Sequence, residues 1–393
     1  MAAFRFAVLG TGRGARAFAL GLRASERVEV GAVGSRSTER AGAFAASLGL
    51  DCPVGDHRQA LEQPVDAVYI ATPPSTHHAL ALQSLRAGRP VLVEKPFTTD
   101  AAQAREVVAE ADRLGLFCME ALWTRFLPLV REVDTLLAGG AIGEVLSVTG
   151  SFGSDRADAA HLRDPALGGG ALLDRGVYPL SFVIRTLGRP VSVAAEVVTG
   201  PSGVDEECAA VLRHGRGGLS TVHASFRGEL ANDVRYVGSQ GSLWVRGPVY
   251  RPVSASLSKA HASGAAAAEP TAAAPGSGLR SGLTSSITDA PWAHGLRQVA
   301  GLVLPRAART RSLPLVRPYR GNGYHYQAEE VERCVRLGLR ESPVMPTDES
   351  VAVLETVDLI RAAAGADQTP AAPDAAPRPA PRPAPRSPEQ ETR

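Results

Sequence analysis

A glycine-rich turn near the start of the sequence has the spacing of a phosphate-binding loop. The apolar run Phe4–Leu9 is followed by residues 10–15, which read G-T-G-R-G-A and fit the pattern G-x-G-x-x-A. Gly10 would make the tight turn, Gly12 would let the backbone approach a pyrophosphate, and Ala15 would let the next helix pack closely. The free N–H groups at the start of that helix would face the phosphates. The pattern predicts a dinucleotide site, with a purely structural turn as the alternative.

The second apolar run ends without the acidic residue that would bind a ribose 2′-hydroxyl. Val33 and Gly34 are followed by Ser35 and Arg36, and Arg40 lies one helical turn further on. A hydroxyl and a guanidinium suit a 2′-phosphate, because Arg makes charge-assisted and often bidentate contacts to phosphate. The interpretation we favour is NADP, with NAD possible; an exposed arginine on a loop is the alternative.

Short apolar runs alternate with helical segments through residues 1–122, which we predict to be the dinucleotide-binding domain. Such alternation is typical of a parallel sheet covered by helices on both faces. The predicted strands are Phe4–Leu9, Val28–Val33, Ala67–Ala71, Val91–Glu94 and Leu116–Met119. The predicted helices begin near Ala15, Thr38, Thr76 and Ala101. The predicted fold class is therefore α/β in this half, a Rossmann doubly wound parallel sheet.

Residues 123–365 have a different pattern and predict a second, α+β domain. Several strand-like runs follow one another with little helix between them, which indicates an open, mainly antiparallel sheet. These runs are Val145–Phe152, Val191–Val198, Ala209–Leu212, Leu219–Phe226 and Arg235–Val237. One helix is predicted around Gly176–Leu187, and two amphipathic helices at Tyr324–Leu337 and Glu349–Ala364.

Two stretches have compositions that do not favour a packed core. Ser254–Gly282 is rich in Ala, Ser, Gly and Pro and predicts a long flexible loop, within a partly flexible insertion at 254–318. Residues 366–393 are rich in Pro, Ala and Arg and predict a disordered tail. The tail is either a solvated extension, which we favour, or a polyproline ligand for an SH3-like partner.

Overall composition argues against several classes of protein. The net charge is +2, from 42 basic and 40 acidic residues, so no nucleic-acid surface is indicated. The four cysteines are far apart, without the spacing of a metal site, and suggest free thiols in a reducing compartment. The sequence shows neither a signal-peptide pattern nor an apolar run of about 20 residues. We therefore expect a cytoplasmic protein with no metal, no membrane and no nucleic-acid partner.

Further motifs resemble one family of oxidoreductases. Thr72-Pro73 with His77 fits T-P-x-x-x-H, Glu94-Lys95-Pro96 fits E-K-P, and Gly168–Tyr178 fits G-G-G-x-x-x-D-x-G-x-[HY]. With the phosphate loop, these resemble the glucose-fructose oxidoreductase / inositol dehydrogenase (Gfo/Idh/MocA) family. Met119–Phe126 and Gly321–Tyr326 are similar to the branch of dimeric dihydrodiol dehydrogenases and NADP-dependent xylose dehydrogenases.

The resemblance implies which side chains carry the reaction. Hydride transfer to or from an alcohol needs a proton acceptor or donor and a group that stabilises the alkoxide. By resemblance these are Lys95 and Tyr178, and the Lys95 ammonium would favour the Tyr178 phenolate. Asp174 lies one turn before Tyr178 and would orient Lys95 or bind a substrate hydroxyl. Each has a structural alternative: an exposed lysine, a core aromatic, and a carboxylate at a helix N-terminus.

The remaining site residues follow from the motifs and from the resemblance. The predicted cofactor-binding residues are Gly10, Thr11, Gly12, Arg13, Ala15, Ser35, Arg36, Arg40, Thr72, Pro73, His77, Glu94 and Lys95. The predicted substrate-binding residues are Trp123, Arg125, Phe126 and Asp174. For His77 a structural role in the following helix is the alternative, and for Trp123 interface packing.

The resemblance also implies an activity and a partner. The expected substrate is a sugar or cyclic diol, such as the aldose xylose or a trans-dihydrodiol. The alternatives are a ketosugar reductase in biosynthesis and a non-catalytic NADP-binding regulator. The expected assembly is a homodimer that pairs through the C-terminal sheet, because an open sheet exposes a face and edges that must be covered.

Overall fold

The computed structural model describes residues 2–155, 160–259 and 312–366 of the chain. These residues form two sheets, one parallel with six strands and one mixed with eight. The predicted fold class is confirmed: a Rossmann-type α/β half is followed by an α+β half built on a mainly antiparallel sheet. No helix in the described ranges is long and apolar enough to cross a lipid bilayer.

The first sheet has the strand order β3-β2-β1-β4-β5-β6, and every neighbouring pair is parallel. Its strands are β1 (Phe4–Leu9), β2 (Val28–Gly34), β3 (Val54–Gly55), β4 (Ala67–Ile70), β5 (Val91–Glu94) and β6 (Cys118–Ala121). Its helices are α1 (Arg13–Leu22), α2 (Thr38–Leu48), α3 (His57–Leu61), α4 (His77–Arg86) and α5 (Ala101–Leu114). Because β4, β5 and β6 are buried along their whole length, they have continuous apolar runs and not an alternating pattern.

Local capping sets the ends of these helices. Ser37 accepts a hydrogen bond from the backbone N–H of Arg40 at 3.3 Å and so begins α2, and Gly49 ends it in the left-handed region. Asp100 caps α5 in the same way, and Gly115 ends it with φ +67°. The predicted helix starts at Thr38 and Ala101 agree with these caps. The sequence prediction missed β3 and α3, which are only two and five residues long.

The second sheet has the strand order β14-β13-β12-β11-β7-β10-β9-β8. Its strands are β7 (Val145–Gly153), β8 (Pro190–Thr199), β9 (Asp205–His214), β10 (Leu219–Ser225), β11 (Val234–Gly238), β12 (Gly241–Val245), β13 (Ser254–Lys259) and β14 (Ser312–Val316). Only β7 and β10 pair in parallel. Along β9 buried and exposed residues alternate from Cys208 to His214, so one face packs on the core and the other faces outward.

The expected loop at Ser254–Gly282 is wrong over its first six residues. Ser254–Lys259 forms β13, which pairs with β12 on one side and β14 on the other. The small residues that suggested a loop alternate in a strand register, and Ala255 and Leu257 are buried. Residues 260–311 and the tail from 367 onward, which were also predicted to be flexible, lie outside the described residues.

The described residues after β6 contain four further α-helices. They are α6 (Pro128–Ala138), α7 (Val177–Leu187), α8 (His325–Arg336) and α9 (Thr347–Ala366). A single π-helical turn, Leu172–Gly176, leads directly into α7. α9 packs against both α7 and β8 of the second half and α5 of the first. The described halves therefore share one continuous core.

The chain returns to the first half near its C-terminal end. The Asn322 side-chain amide donates to the Ala17 carbonyl at 2.7 Å, and Arg320 donates to the Ala24 carbonyl at 2.7 Å, so the segment lies along α1. A Cβ atom on Gly21 would lie 2.5 Å from Asn322 Oδ1, which shows that α1 needs a glycine at this crossing. α8 then packs against α1 and β2.

Candidate active site

A cleft of about 1180 Å³ runs between the two halves. It is lined both by loops that follow strands of the first sheet and by residues of the second half, and so continues from the glycine-rich turn to Lys95 and Tyr178. The predicted site residues that line it are Gly10, Thr11, Gly12, Arg13, Ser35, Arg36, Arg40, Thr72, Pro73, Glu94, Lys95, Trp123, Asp174 and Tyr178. Carboxyl ends of parallel strands are the usual place for a ligand in such a sheet.

The glycine-rich turn has the geometry that a pyrophosphate requires. Gly10 has φ +115°, and a Cβ atom there would lie 2.4 Å from the Ala71 carbonyl oxygen, so only glycine fits. At Gly12 a Cβ would meet nothing within 4 Å, which leaves open space in front of the backbone. No side chain caps the first turn of α1, so its N–H groups face the cleft. The residues present therefore fit a dinucleotide at this loop.

The end of β2 offers positive charge and no carboxylate. Ser35 is held by a hydrogen bond from its backbone N–H to the Gly55 carbonyl at 3.1 Å, and Arg36 and Arg40 are exposed at the cleft edge. Within the described ranges, the guanidinium groups of Arg36 and Arg40 make no ion pair. Unpaired guanidinium groups beside a hydroxyl fit a phosphate monoester.

Two predicted cofactor residues lie behind the cleft wall. Ala15 is fully buried, where it lets α1 pack on the sheet as expected. His77 is also buried, with Nδ1 2.8 Å from the Pro96 carbonyl oxygen and Nε2 2.9 Å from that of Thr72. Burial lowers the pKa of His77, which favours the neutral ring. His77 thus joins the two loops that carry Thr72 and Lys95 and does not line the cleft, in agreement with the structural alternative.

Lys95 and Asp174 form an ion pair across the two halves. Lys95 Nζ donates to Asp174 Oδ1 at 2.6 Å and to the Asp174 carbonyl oxygen at 2.9 Å. Asp174 lies in the π-helical turn, and its backbone N–H donates to the Gly170 carbonyl at 3.0 Å. Burial alone would raise the pKa of Asp174, but the Lys95 ammonium and then Arg175 hold it below its usual value. The aspartate is therefore ionised near neutral pH and keeps Lys95 oriented.

Tyr178 lies beside this ion pair and is buried. Lys95 Nζ is 5.2 Å from the centre of the Tyr178 ring, and the side chain is 6% exposed. Burial, followed by the charges of Glu94 and Asp174, raises the pKa of Tyr178 well above 10. Burial thus favours the protonated phenol, and the expectation that Lys95 favours the phenolate stays a prediction.

Glu94 is another carboxyl group of the cleft, and it is more deeply buried than Asp174. Its side chain is 9% exposed; the Tyr69 hydroxyl donates to Oε1, and the Lys95 backbone N–H donates to Oε2 at 3.1 Å. Burial raises the pKa of Glu94, which the hydrogen bond from Tyr69 and the nearby ammonium of Lys95 partly offset. Glu94 therefore fixes the loop that carries Lys95.

Aromatic rings wall the cleft around Tyr178. Trp123 stacks on Tyr324 with a centroid distance of 4.7 Å, and Phe152 stacks on Tyr250 at 5.3 Å. Sequence reasoning selected Trp123 but not the other three as lining residues. Tyr324 lies in the motif Gly321–Tyr326, so its signal was present, whereas nothing in the sequence marked Phe152 or Tyr250. Ser154, His161 and Arg175 also line the cleft and were missed.

Arg125 and Phe126, which were predicted to bind substrate, do not line the cleft. Arg125 is 1% exposed and donates to Ser181 Oγ, the Val344 carbonyl and Glu349 Oε2 at 2.8, 3.1 and 2.8 Å. Phe126 is 6% exposed within the core. Both follow Trp123 in a 3-10 helix, Trp123–Phe126, which turns their side chains away from the ring that faces the cleft. Arg125 thus joins the end of the first half to α7 and α9.

Replacing Arg125 by Met should destabilise the protein by about 1.5–3 kcal/mol, because it removes the hydrogen bonds of a buried guanidinium to Ser181, Val344 and Glu349, and Glu349 then keeps only Arg185. Urea unfolding monitored by circular dichroism would measure the change. Arg131→Met is the matched control: Arg131 is 45% exposed on the side chain and lies 3.5 Å from Asp134, so its loss should cost less than about 1 kcal/mol. Equal stabilities of the two variants would contradict a structural role for Arg125.

Family models match both halves of the chain. Residues 4–122 match the model described as an oxidoreductase family with an NAD-binding Rossmann fold, and residues 130–244 match the GFO/IDH/MocA C-terminal domain. The chain belongs to the GFO/IDH/MocA oxidoreductase family. The resemblance inferred from the motifs is thereby confirmed, and so is the expectation of an oxidoreductase.

Curated relatives within the GFO/IDH/MocA family cover nearly the whole chain. Trans-1,2-dihydrobenzene-1,2-diol dehydrogenase of Bos taurus is 30% identical over 368 residues, which is 92% of this chain and 97% of the relative. The enzyme of the same name from Sus scrofa is 29% identical over the same shares.

Solved structures of other proteins are similar to this chain over both halves. The 3-ketoreductase KijD10 from Actinomadura kijaniata, in complex with NADP and TDP-benzene, is 25% identical with a TM-score of 0.71 and covers 92% of this chain and 98% of its own. An aldose-aldose oxidoreductase from Caulobacter crescentus, complexed with glycerol, has a TM-score of 0.72 at 21% identity, covering 93% and 98%, and is similar in fold.

Proposed function

We propose that this chain is an NADP-dependent oxidoreductase that transfers a hydride between nicotinamide and a ring carbon of a sugar or cyclic diol. The substrate would be an aldose such as xylose or a trans-dihydrodiol. The observation that carries the proposal is the Lys95–Asp174 ion pair, with Lys95 Nζ 5.2 Å from the centre of the Tyr178 ring, in a cleft that continues to a phosphate loop. The dihydrodiol dehydrogenases among the relatives support this substrate class.

The aromatic wall supports a cyclic substrate. Trp123, Phe152, Tyr250 and Tyr324 present ring faces and edges around the catalytic side chains. Such rings pack on the apolar face of a sugar or on a flat diol ring, while the hydroxyl groups remain free to meet polar side chains. A non-catalytic NADP-binding regulator would not need a part-buried ion pair of this geometry in the cleft.

Lys95, Asp174 and Tyr178 would have different roles in the hydride transfer. When bound, nicotinamide supplies or accepts the hydride. Lys95 Nζ, oriented by Asp174, would donate a hydrogen bond to the reacting oxygen and stabilise negative charge on it. The Tyr178 hydroxyl would exchange the proton with that oxygen as general acid or base. The surrounding rings would exclude water and strengthen these interactions.

A second candidate, reduction of a ketosugar, has one specific observation in its favour. Burial raises the pKa of Tyr178, so its hydroxyl keeps the proton that an acid in reduction must donate over a wider pH range. The 3-ketoreductase among the similar structures supports the same direction.

Turnover on a matched panel would test the proposal and choose between these candidates. Purified protein would be assayed by NADPH absorbance with xylose, glucose and trans-cyclohexanediol in oxidation, and with the corresponding keto compounds in reduction. Saturable turnover of ring hydroxyls or ketones is expected. Tight NADP binding without turnover of any panel member would favour the regulator.

Cofactor choice should depend on Arg36. Since charge-assisted hydrogen bonds are worth about 1.5–3 kcal/mol, Arg36→Ala should weaken NADP binding by roughly ten- to a hundredfold and leave NAD binding nearly unchanged. Dissociation constants from protein fluorescence would measure both. Arg58→Ala is a suitable control, because Arg58 pairs with Glu62 and does not line the cleft. A wild-type protein that binds NAD more tightly than NADP would contradict the assignment.

Assembly into a homodimer is the expected state, through the outward face of the second sheet. The strand register brings Val211, Thr221, Thr149, Arg235 and Trp244 into one row across β9, β10, β7, β11 and β12. A neighbouring row contains exposed Leu219 and Val237. These apolar groups on an open face favour a partner sheet.

Light scattering after size-exclusion chromatography would give the mass in solution. A dimer is expected for the wild type and a monomer for Leu219→Arg. Leu337→Arg alters a leucine of similar exposure at the end of α8 and should leave the dimer intact. A wild-type monomer at micromolar concentration would count against this assembly.

A further inference from the structure

Arg175 is a buried arginine in the wall of the catalytic cleft. Its side chain is 5% exposed, and its guanidinium carbon lies 4.4 Å from the centre of the Phe152 ring. Nε donates to Asp174 Oδ2 at 3.0 Å, and Nη1 donates to Ser154 Oγ at 2.8 Å. A buried arginine is costly unless it is paired and hydrogen-bonded. Here its ionic partner is the aspartate that holds Lys95.

The two oxygens of Asp174 are therefore held by two different cations. Oδ1 accepts from Lys95 at 2.6 Å, and Oδ2 accepts from Arg175 at 3.0 Å. The last torsion of an aspartate is broad and twofold, so a carboxylate with a single partner can rotate and exchange its oxygens. A second cation on the other oxygen fixes this rotation. Ser154 and the Phe152 ring fix the guanidinium in turn.

We propose that Arg175 is a positioning residue, which locks the Asp174 carboxylate so that Oδ1 stays on Lys95. This inference rests on the proposed function, in which Lys95 contacts the reacting oxygen. Arg175 acts through Asp174 and need not touch the substrate.

Loss of any cation 3.0 Å from Asp174 would change the titration of that carboxylate, so the decisive variant is Ser154→Ala, which keeps the charge of Arg175 and frees its guanidinium. The charged groups that face Asp174 are Lys95, Arg175 and Glu94. Lys95 and Arg175 lower the pKa of Asp174 against the effect of burial, so the ion pair with Lys95 persists as the pH falls. Without Arg175, the pKa of Asp174 should rise, and the pair should be lost at a higher pH.

The sequence offers a direct probe, because Lys95 and Lys259 are its only lysines. Protein labelled with ¹³C at lysine Cε would give two resonances, which Lys95→Met would assign. In Arg175→Met, the Lys95 resonance should change at a higher pH than in the wild type, while exposed Lys259 stays unchanged. Arg163→Met is the control, because Arg163 pairs with Glu206 and not with Asp174. It should leave unchanged the pH at which the Lys95 resonance reports the protonation of Asp174.

Kinetics would complete the test. In Arg175→Met, kcat/KM should fall about tenfold or more at acidic pH relative to the wild type, with the affinity for NADP changed less than about twofold. Arg175→Lys should restore part of the loss, because it returns a cation to Asp174. Ser154→Ala keeps Arg175 but removes the acceptor of its Nη1 hydrogen bond. In this variant the Lys95 resonance should report the protonation of Asp174 at a higher pH than in the wild type, by a smaller amount than in Arg175→Met.

The outcomes separate this proposal from the proposed function. If the Lys95 resonance reports the protonation of Asp174 at the wild-type pH in both Arg175→Met and Ser154→Ala, Arg175 does not position Asp174. The resonance measurement needs no substrate, so a protein without turnover on any compound would overturn the proposed function and still decide the role of Arg175.

Discussion

Replacing Tyr178 by Phe is expected to lower turnover by roughly two or more orders of magnitude, the usual scale of general acid–base catalysis. The substitution keeps the ring, which packs edge-on against Phe152 at 5.5 Å, and removes only the hydroxyl. Affinity for NADP should therefore stay near the wild-type value. Steady-state kinetics with the best substrate of the panel, together with fluorescence titration of NADP, would measure both quantities.

The pH dependence gives this prediction a direction. Burial and the nearby carboxylates raise the pKa of Tyr178, so its hydroxyl stays protonated up to high pH. In oxidation the hydroxyl must first lose this proton to act as a base, whereas in reduction it donates the proton as an acid. Oxidation by the wild type should thus become faster as the pH rises, and Tyr178→Phe should lose this dependence. Tyr236→Phe, at a buried tyrosine of the second sheet outside the cleft, serves as the control. Full activity of Tyr178→Phe would assign the proton transfer to another group.

Replacing Lys95 by Met should be at least as damaging, with turnover lower by about two to four orders of magnitude. The change removes the ammonium that would hydrogen-bond the reacting oxygen and leaves Asp174 paired only with Arg175. Lys259→Met, at an exposed lysine on β13, controls for the loss of a lysine and should behave as the wild type.

The double variant would show whether the two groups act together. If Lys95 and Tyr178 act on the same oxygen, the combined loss should be smaller than the product of the single losses, because groups that act as a unit are not additive. Losses that multiply would indicate independent roles. A Lys95→Met enzyme with turnover within about tenfold of the wild type would contradict the proposed chemistry.

Features that depend on local spacing were predictable from the sequence. The phosphate loop was identified because its glycines and the strand before it occur within a dozen residues, and Gly10 has the conformation that the motif requires. The long strands and capped helices of the first half were identified for the same reason. β3 has only two residues, too few to show any period.

Features that depend on distant contacts were not predictable. Arg125 was placed in the cleft because Trp123 precedes it by two residues. Its guanidinium instead turns into the core toward Glu349, which is 224 residues away in the sequence. The raised pKa of Tyr178 on α7 depends on burial and then on Glu94, which lies at the end of β5 in the other half of the chain. Phe152 and Tyr250 belong to no motif and meet only in the folded chain. The assignments of Lys95, Asp174 and Tyr178 as catalytic residues, and the domain boundaries, stay predictions.

The return of the chain along α1 has a consequence for the order in which the protein is made. The groove beside Gly21 is filled by Asn322, and the stack on Trp123 is completed by Tyr324, which leave the ribosome some 300 and 200 residues after their partners. Until then the nascent first half lacks the packing of Asn322 on α1 and of Tyr324 on Trp123, although all six strands of its sheet have been synthesised. We expect this half to remain incompletely packed and accessible to chaperones and proteases during synthesis, and to complete its packing only near the end of translation.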